Sequence, residues 1–98
     1  KKKLGFLIIR DKKNYTKGII TDGQIRRFNE RENNLYEMSV REIMTKNPIT
    51  IDKDSLAVKA LKLMNEKKIT SLCVHTKENK NKTIGILHIH TLLESNIN

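Results

Sequence analysis

Ser39-Val40-Arg41-Glu42-Ile43-Met44-Thr45-Lys46-Asn47-Pro48-Ile49-Thr50-Ile51 divides this chain into two related halves. Ser39 and Glu42 stand three apart, the spacing at which each side chain satisfies a free amide at the start of a helix. The helix they open must be short. Pro48 keeps Asn47 out of the helical region, and Ile49-Thr50-Ile51 reads as extended, β-branched chain. A short helix therefore hands over to a strand, and the downstream half of the chain repeats the upstream half.

Upstream, residues 4–9 form a continuous apolar run that reads as a strand buried on both faces. Residues 10–17 are polar and read as a turn, and Lys17-Gly18-Ile19-Ile20-Thr21 as a second strand pairing back on the first. Asp22-Gly23 ends that strand. Thr21 or Asp22 is placed to cap a helix over 24–31, in which Ile25 and Phe28 give the buried stripe. Residues 32–34 stop the helix, and Leu35 and Met38 anchor the linker.

Downstream, Asp52-Lys53-Asp54-Ser55 supplies capping candidates for the longest helix, over 56–67. Ala57, Ala60, Leu61 and Met64 share its inward face, widened by Leu56 and Leu63, and the closing lysines suit its negative end. Strands are expected over 70–75 and 83–88, around a charged turn. A last helix, over 89–95, carries Leu92 and Leu93; these point inward, or, left exposed, offer a pairing surface.

Laid together, Phe6-Leu7-Ile8-Ile9, turn, Gly18-Ile19-Ile20-Thr21 and helix correspond to Leu72-Cys73-Val74-His75, turn, Gly85-Ile86-Leu87-His88 and helix. One repeat cannot cover its own apolar faces, so an internal repeat outranks other signals. The fold expected is α+β, a tandem β-α-β-β-α repeat. Its first copy, residues 1–34, lacks the opening strand and helix, roughly 25 residues by analogy with the second copy. Residues 35–43 form a linker and short helix, and 44–98 the complete second copy. With no initiator methionine, the chain reads as a fragment of something longer.

Composition narrows the function classes. No apolar run approaches the ~20 residues of a membrane span, and no signal peptide is evident. The single cysteine, Cys73, excludes an internal disulfide and fits a cytoplasmic protein. The net charge of +9 invites a nucleic-acid reading. The lysines are scattered, however, and the few aromatic residues do not interleave with them, so no nucleic-acid partner is expected.

The segments Met44-Thr45-Lys46-Asn47-Pro48-Ile49-Thr50-Ile51, Ile69-Thr70-Ser71-Leu72-Cys73-Val74 and Gly85-Ile86-Leu87-His88 resemble a cystathionine-β-synthase (CBS) domain. Two such domains make the pair called a Bateman module. Gly18-Ile19-Ile20-Thr21-Asp22-Gly23-Gln24-Ile25 and Gly85-Ile86-Leu87-His88-Ile89-His90-Thr91-Leu92-Leu93 further resemble the carboxy-terminal CBS pair of bacterial D-arabinose-5-phosphate isomerases, which start Kdo synthesis for lipopolysaccharide. That resemblance places catalysis in an upstream sugar-isomerase (SIS) domain. The 98 residues hold no phosphate loop and no acid/base pair, so no catalytic residue is assigned to them.

The resemblance implies a ligand cleft between repeats, lined by Asn47, Pro48, Ile49 and Thr50 and by the starts of the last helices. In related pairs a hydroxyl after the glycine strand meets phosphate, and an acid three positions later grips ribose. Thr21 fits the hydroxyl position, but Gln24 stands where the acid belongs; in the second copy His88 and Thr91 replace both. Asp22 substitutes only if its side chain turns into the cleft. The implied ligand is an adenine nucleotide or, with both carboxylates gone, a CMP-sugar. His88 could donate to a ligand phosphate, more strongly as pH falls. His75, His88, His90 and Cys73 do not make a convincing zinc set, and buried Cys73 reads as an inert thiol. The alternative to sensing is a structural module whose self-association holds the parent oligomer together.

Overall fold

The computed structural model describes residues 5–30 and 37–95. Leu4, Arg31, residues 32–34 and Leu35 lie outside them. Two compact units, 1–48 and 49–98, make up the chain.

In the first unit, strands β1 (Phe6–Arg10) and β2 (Thr16–Thr21) form an antiparallel hairpin, followed by helix α1 (Asp22–Glu30). The hairpin turn is built by Asp11, whose Oδ1 accepts the amides of Lys13 (2.9 Å) and Tyr15 (3.0 Å), while Asn14 takes the left-handed conformation (φ 71°) that asparagine tolerates. After the short helix α2 (Val40–Ile43), strand β3 (Thr45–Lys46) joins the far side of β2, giving the order β1-β2-β3. Asn47 is left-handed (φ 49°), and its amide donates to the Lys17 carbonyl at 3.3 Å. Asn47 is outside the right-handed helical region, as expected before Pro48, but α2 already ends at extended Met44, and the boundary between compact units falls after β3 because Thr45 and Lys46 belong to the first sheet.

Burial in this unit departs from the sequence expectation. Ile19 and Ile20 are buried, but Phe6 and Leu7 are exposed, so β1 is not covered on both faces. It is an edge strand among the described residues, with no strand on its outer side. Ile25, expected in the inward stripe of α1, is exposed as well, whereas Phe28 is half-buried.

In the second unit, strand β4 (Thr50–Asp52) lies parallel to β5 (Ser71–His75), which pairs antiparallel with β6 (Gly85–His88). Parallel neighbours need a crossover, supplied here by helix α3 (Ala57–Lys67). Helix α4 (Ile89–Ser95) follows β6. Ile51, Ala60, Met64, Leu72 and Leu92 form the core, with Ile49, Leu61, Leu63, Ile69, Val74, Leu87 and Ile89 packed around it. α3 ends where Lys68 turns left-handed (φ 57°) and the amides of Lys68 and Ile69 both reach the Met64 carbonyl. That reversal is the ordinary end of a helix, made here with a lysine rather than a glycine.

Three expectations need correction. Helix α3 is capped by none of Asp52, Asp54 or Ser55. Its N-cap is Leu56, without a side-chain bond, because Asp52 is committed to a tight turn, accepting the Asp54 amide at 2.8 Å on its carboxylate and the Ser55 amide at 3.0 Å on its carbonyl. Leu56 is extended (φ −68°, ψ 145°), which takes it off the helical stripe and leaves it 73% exposed; Ala57 is exposed too, and the inward face begins at Ala60. In α4, Leu92 joins the core while Leu93 stays exposed.

The register also shifts the repeat. Gly18 pairs with Ile9 and Gly85 with Val74, so Phe6-Leu7-Ile8-Ile9 match Ser71-Leu72-Cys73-Val74, one position earlier than the sequence comparison placed them. Side chains alternate along a strand, so one position exchanges inward and outward faces. The two turns differ in length, which hid the offset.

Candidate functional site

The expected site residues fall into two groups, one in each unit. In the first, Thr21 and Gln24 bind each other: the Thr21 amide donates to Gln24 Oε1 at 2.8 Å, and the Gln24 amide donates to Thr21 Oγ1 at 3.4 Å. This is a reciprocal capping box on α1, with Thr21 as the cap and Gln24 three residues on. The Thr21 hydroxyl also donates to Gln24 Oε1 (3.3 Å), and Gln24 Nε2 reaches across to Thr45 Oγ1 at 2.5 Å. Gln24 is therefore a brace between α1 and β3, and most of its hydrogen-bonding capacity is used.

Asp22 is neither the cap nor a free carboxylate. Both of its oxygens accept the Gly5 amide, each at 3.0 Å, and its own amide returns to the Gly5 carbonyl at 3.2 Å. It pins the start of β1 against the start of α1. Asn47 is exposed and Pro48 half-buried, both just beyond β3.

In the second unit, the Ile49 carbonyl is taken by the Cys73 amide at 3.0 Å. Thr50 opens β4 opposite Cys73, with an exposed side chain. His88 ends β6, and its Nδ1 accepts the amide of His90 at 3.1 Å, so an imidazole caps α4. That bond leaves the proton on Nε2, which remains available as a donor. The His88 and His90 rings stack, 4.9 Å apart at 25°. Burial, and then the neighbouring charge of His90, pull the His88 pKa below 6.5, so at neutral pH it is an uncharged donor. Thr91 is exposed in the first turn of α4, the position matching Gln24.

The other reactive side chains have structural partners. His75 is buried, with Nδ1 2.9 Å from the Thr76 carbonyl. Cys73 is fully buried, and desolvation pushes its thiol pKa up against the opposing hydrogen bond with Thr83. No three His, Cys, Asp or Glu side chains converge on a metal position among the described residues.

Two strand-to-helix junctions, each closed by a side-chain cap, succeed two matching hairpins. The CBS domain family matches residues 40–97. The chain belongs to the CBS-domain family. It is 40% identical over 77 residues to an arabinose 5-phosphate isomerase of Francisella tularensis, covering 79% of this chain and 23% of that one. With an arabinose 5-phosphate isomerase of Salmonella typhi it shares 34% identity over 97 residues, 99% of this chain and 29% of the other. The chain thus spans less than a third of the curated relatives it matches. Among solved structures, the CBS domain pair of protein MJ0100, in complex with 5′-methylthioadenosine and S-adenosyl-L-methionine, superposes with a TM-score of 0.75 at 23% identity, covering 92% of this chain and 68% of that one. The fold is that of a CBS pair.

Within this CBS pair, the capping role of Gln24 was missed from sequence although its signal was there. Thr21-x-x-Gln24 has the same spacing as Ser39-x-x-Glu42, whose box is also present, with Ser39 Oγ accepting the Glu42 amide and Glu42 accepting the Ser39 amide. The partnership of Gln24 with Thr45 had no local signal, because the two meet only through the pairing of β2 with β3.

Proposed function

We propose that the chain is the regulatory CBS module of a longer, cytoplasmic arabinose 5-phosphate isomerase serving Kdo and lipopolysaccharide synthesis, and that it senses a nucleotide-bearing metabolite. The observation that carries this reading is the 34% identity extending over 99% of the chain with the Salmonella typhi isomerase. Catalysis belongs to an SIS domain elsewhere in that longer protein. The ligand is an adenine nucleotide or a CMP-sugar, and the residues offered for contact with it are Thr21, Asp22, Gln24, Asn47 and Pro48 in the first unit and Ile49, Thr50, His88 and Thr91 in the second.

The chemistry of those residues favours hydrogen bonding without a carboxylate clamp. Gln24 and Thr91 are neutral, and Asp22 is held by Gly5. Neutral His88 offers Nε2–H to a phosphate or carboxylate oxygen. The missing acid removes one grip on a ribose diol, which adenine nucleotides and CMP-sugars both carry, so the remaining contacts would be made by neutral hydrogen-bonding groups in either case. Calorimetry of the chain with AMP, ATP, CMP and CMP-Kdo tests the reading: saturable heat for one of them is expected, and neither heat nor thermal shift at millimolar ligand overturns it. Isomerase assays on the full-length protein, with and without that ligand, test the link to catalysis.

Exposed Leu56, Val58 and Leu93 favour a second reading, in which the module self-associates and holds the parent oligomer together. Light scattering of the chain at high concentration decides it. A monomer, with an unchanged parent oligomer after truncation, removes this reading.

A further inference from the structure

The hydrogen bonds around Gln24 fix which way its side-chain amide points. Its Oε1 accepts the Thr21 amide at 2.8 Å and the Thr21 hydroxyl at 3.3 Å, and a backbone N–H can meet only the oxygen of an amide. Nε2 is therefore the outer end, and it donates to Thr45 Oγ1 at 2.5 Å. The partners decide this orientation, because the two ends of an amide have nearly the same shape.

That orientation moves the donors. The Thr21 hydroxyl directs its proton at Gln24 Oε1, while its oxygen accepts the Gln24 amide at 3.4 Å, so its proton is already engaged. Nε2 carries two protons and gives one to Thr45. Thr45 Oγ1, having accepted it, keeps its own proton to donate. In the bonds of the described residues, the meeting of α1 with β3 thus presents one N–H from half-buried Gln24 and one O–H from exposed Thr45.

The polarity is the reverse of a carboxylate's. An acid at position 24 would accept hydroxyl protons, such as those of a ribose diol. The Gln24–Thr45 pair gives protons and suits an oxygen that carries charge. Hydrogen bonds to a charged partner are the stronger kind, so a phosphate gains more from this pair than a diol does.

We infer that Gln24 Nε2 and Thr45 Oγ1 are the specificity-determining donors of the first unit and bind a phosphate oxygen of the ligand, with Thr45 in the role that resemblance gave to Thr21. The inference rests on the sensing reading and deepens it, adding Thr45 to the residues offered there. β3 holds Thr45 by pairing it with Ile19, and the Thr21–Gln24 box holds the amide, so both donors are set before a ligand arrives.

Calorimetry of the 98-residue chain with AMP against adenosine, and CMP against cytidine, reads the preference for phosphate. In at least one pair the nucleotide should bind at least about tenfold more tightly than its nucleoside, as hydrogen bonds to a charged group require. Thr45→Val removes the hydroxyl without changing charge and should cut that preference about fivefold. Gln24→Glu keeps the capping box, as Glu42 does with Ser39, but exchanges donor for acceptor. The preference should then fall at least about tenfold, without loss of nucleoside binding. In the parent chain, the side-chain amide NMR signals of Gln24 should shift with nucleotide and not with nucleoside. Thermal melts show whether the variants are folded, and if either is not, those signals decide. A preference lowered by Gln24→Glu but not by Thr45→Val reflects added negative charge and overturns the inference, as do Gln24 signals that nucleotide leaves unmoved. Nucleotide binding that neither variant changes removes the inference and leaves the sensing reading standing. If none of the four probes binds, the inference is overturned; if ATP and CMP-Kdo also fail to bind, the sensing reading falls with it.

Discussion

The two hairpins of this chain share a register and differ in what lies beside them. Counting from the capping residues Thr21 and His88, Leu7 and Leu72 hold the same place, paired with Ile20 and Leu87. Leu7 is 58% exposed and Leu72 0%. The third strand explains the contrast. β4 joins the hairpin on the β5 side, making β5 central, and α3 packs against it; β3 joins the other hairpin on the β2 side, leaving β1 at the edge among the described residues. An apolar strand is therefore not evidence of its own burial: its lateral neighbour and the helix over it decide.

The largest effect should come from truncating the two leucines. Leu72→Ala removes a core side chain packed with Met64 and is expected to cost about 2–5 kcal/mol in urea unfolding. Leu7→Ala should stay within about 0.5 kcal/mol, as exposed substitutions do. Equal losses at the two positions would break the comparison.

The glycines give an intermediate effect. A Cβ on Gly18 would lie 2.6 Å from Met44 Sδ and 2.7 Å from the Thr45 carbonyl oxygen, because β3 runs alongside. The methionine can move aside, but the backbone oxygen cannot do so cheaply. Gly18→Ala should cost about 1–3 kcal/mol. At Gly85 nothing lies within 4 Å, and Gly85→Ala should change stability by no more than about 0.5 kcal/mol. A tolerated alanine at residue 18 would place β3 wrongly.

The caps should differ least in size and most in pH dependence. Thr21→Ala should cost about 1 kcal/mol at pH 5 and at pH 7.5 alike, since neither Thr21 nor Gln24 titrates. His88 behaves otherwise. Its folded pKa is below the ordinary 6.5, so the unfolded chain takes up the proton first and stability rises with pH across that interval. The contribution is fully present above about pH 6.5 and is lost as pH falls through the folded value, where protonated Nδ1 can no longer accept the His90 amide. Relative to His88→Asn, which keeps a cap without titrating, the parent chain should lose stability between pH 7.5 and 5. Imidazole NMR titration locates the folded pKa, and a value above 6.5 would reverse the expected slope.

Much of the site was legible residue by residue, yet its working state was not. The absence of an acid at Gln24 and Thr91 could be read directly, as could the place of Thr21 and His88 after their glycine strands. The engagement of Asp22 by Gly5, residues 17 positions apart, could not. Nor could the imidazole cap be anticipated, because histidine is not among the usual capping residues.

What the sequence determined by itself is the set of features settled within a few residues: the repeat, the Ser39–Glu42 capping box, the exclusion of Asn47 from the right-handed helical region by Pro48, and the apolar runs that become strands. These depend on backbone sterics and on bonds between positions three or four apart, which a linear reading contains. Only the tertiary structure decided the one-position register between the repeats, the side on which each third strand joins, the exposure of Leu7 and Leu56, and the bond from Gln24 to Thr45. Each of these is fixed by contacts between segments far apart along the chain, where pairing geometry and competition for cover, rather than local preference, select the arrangement.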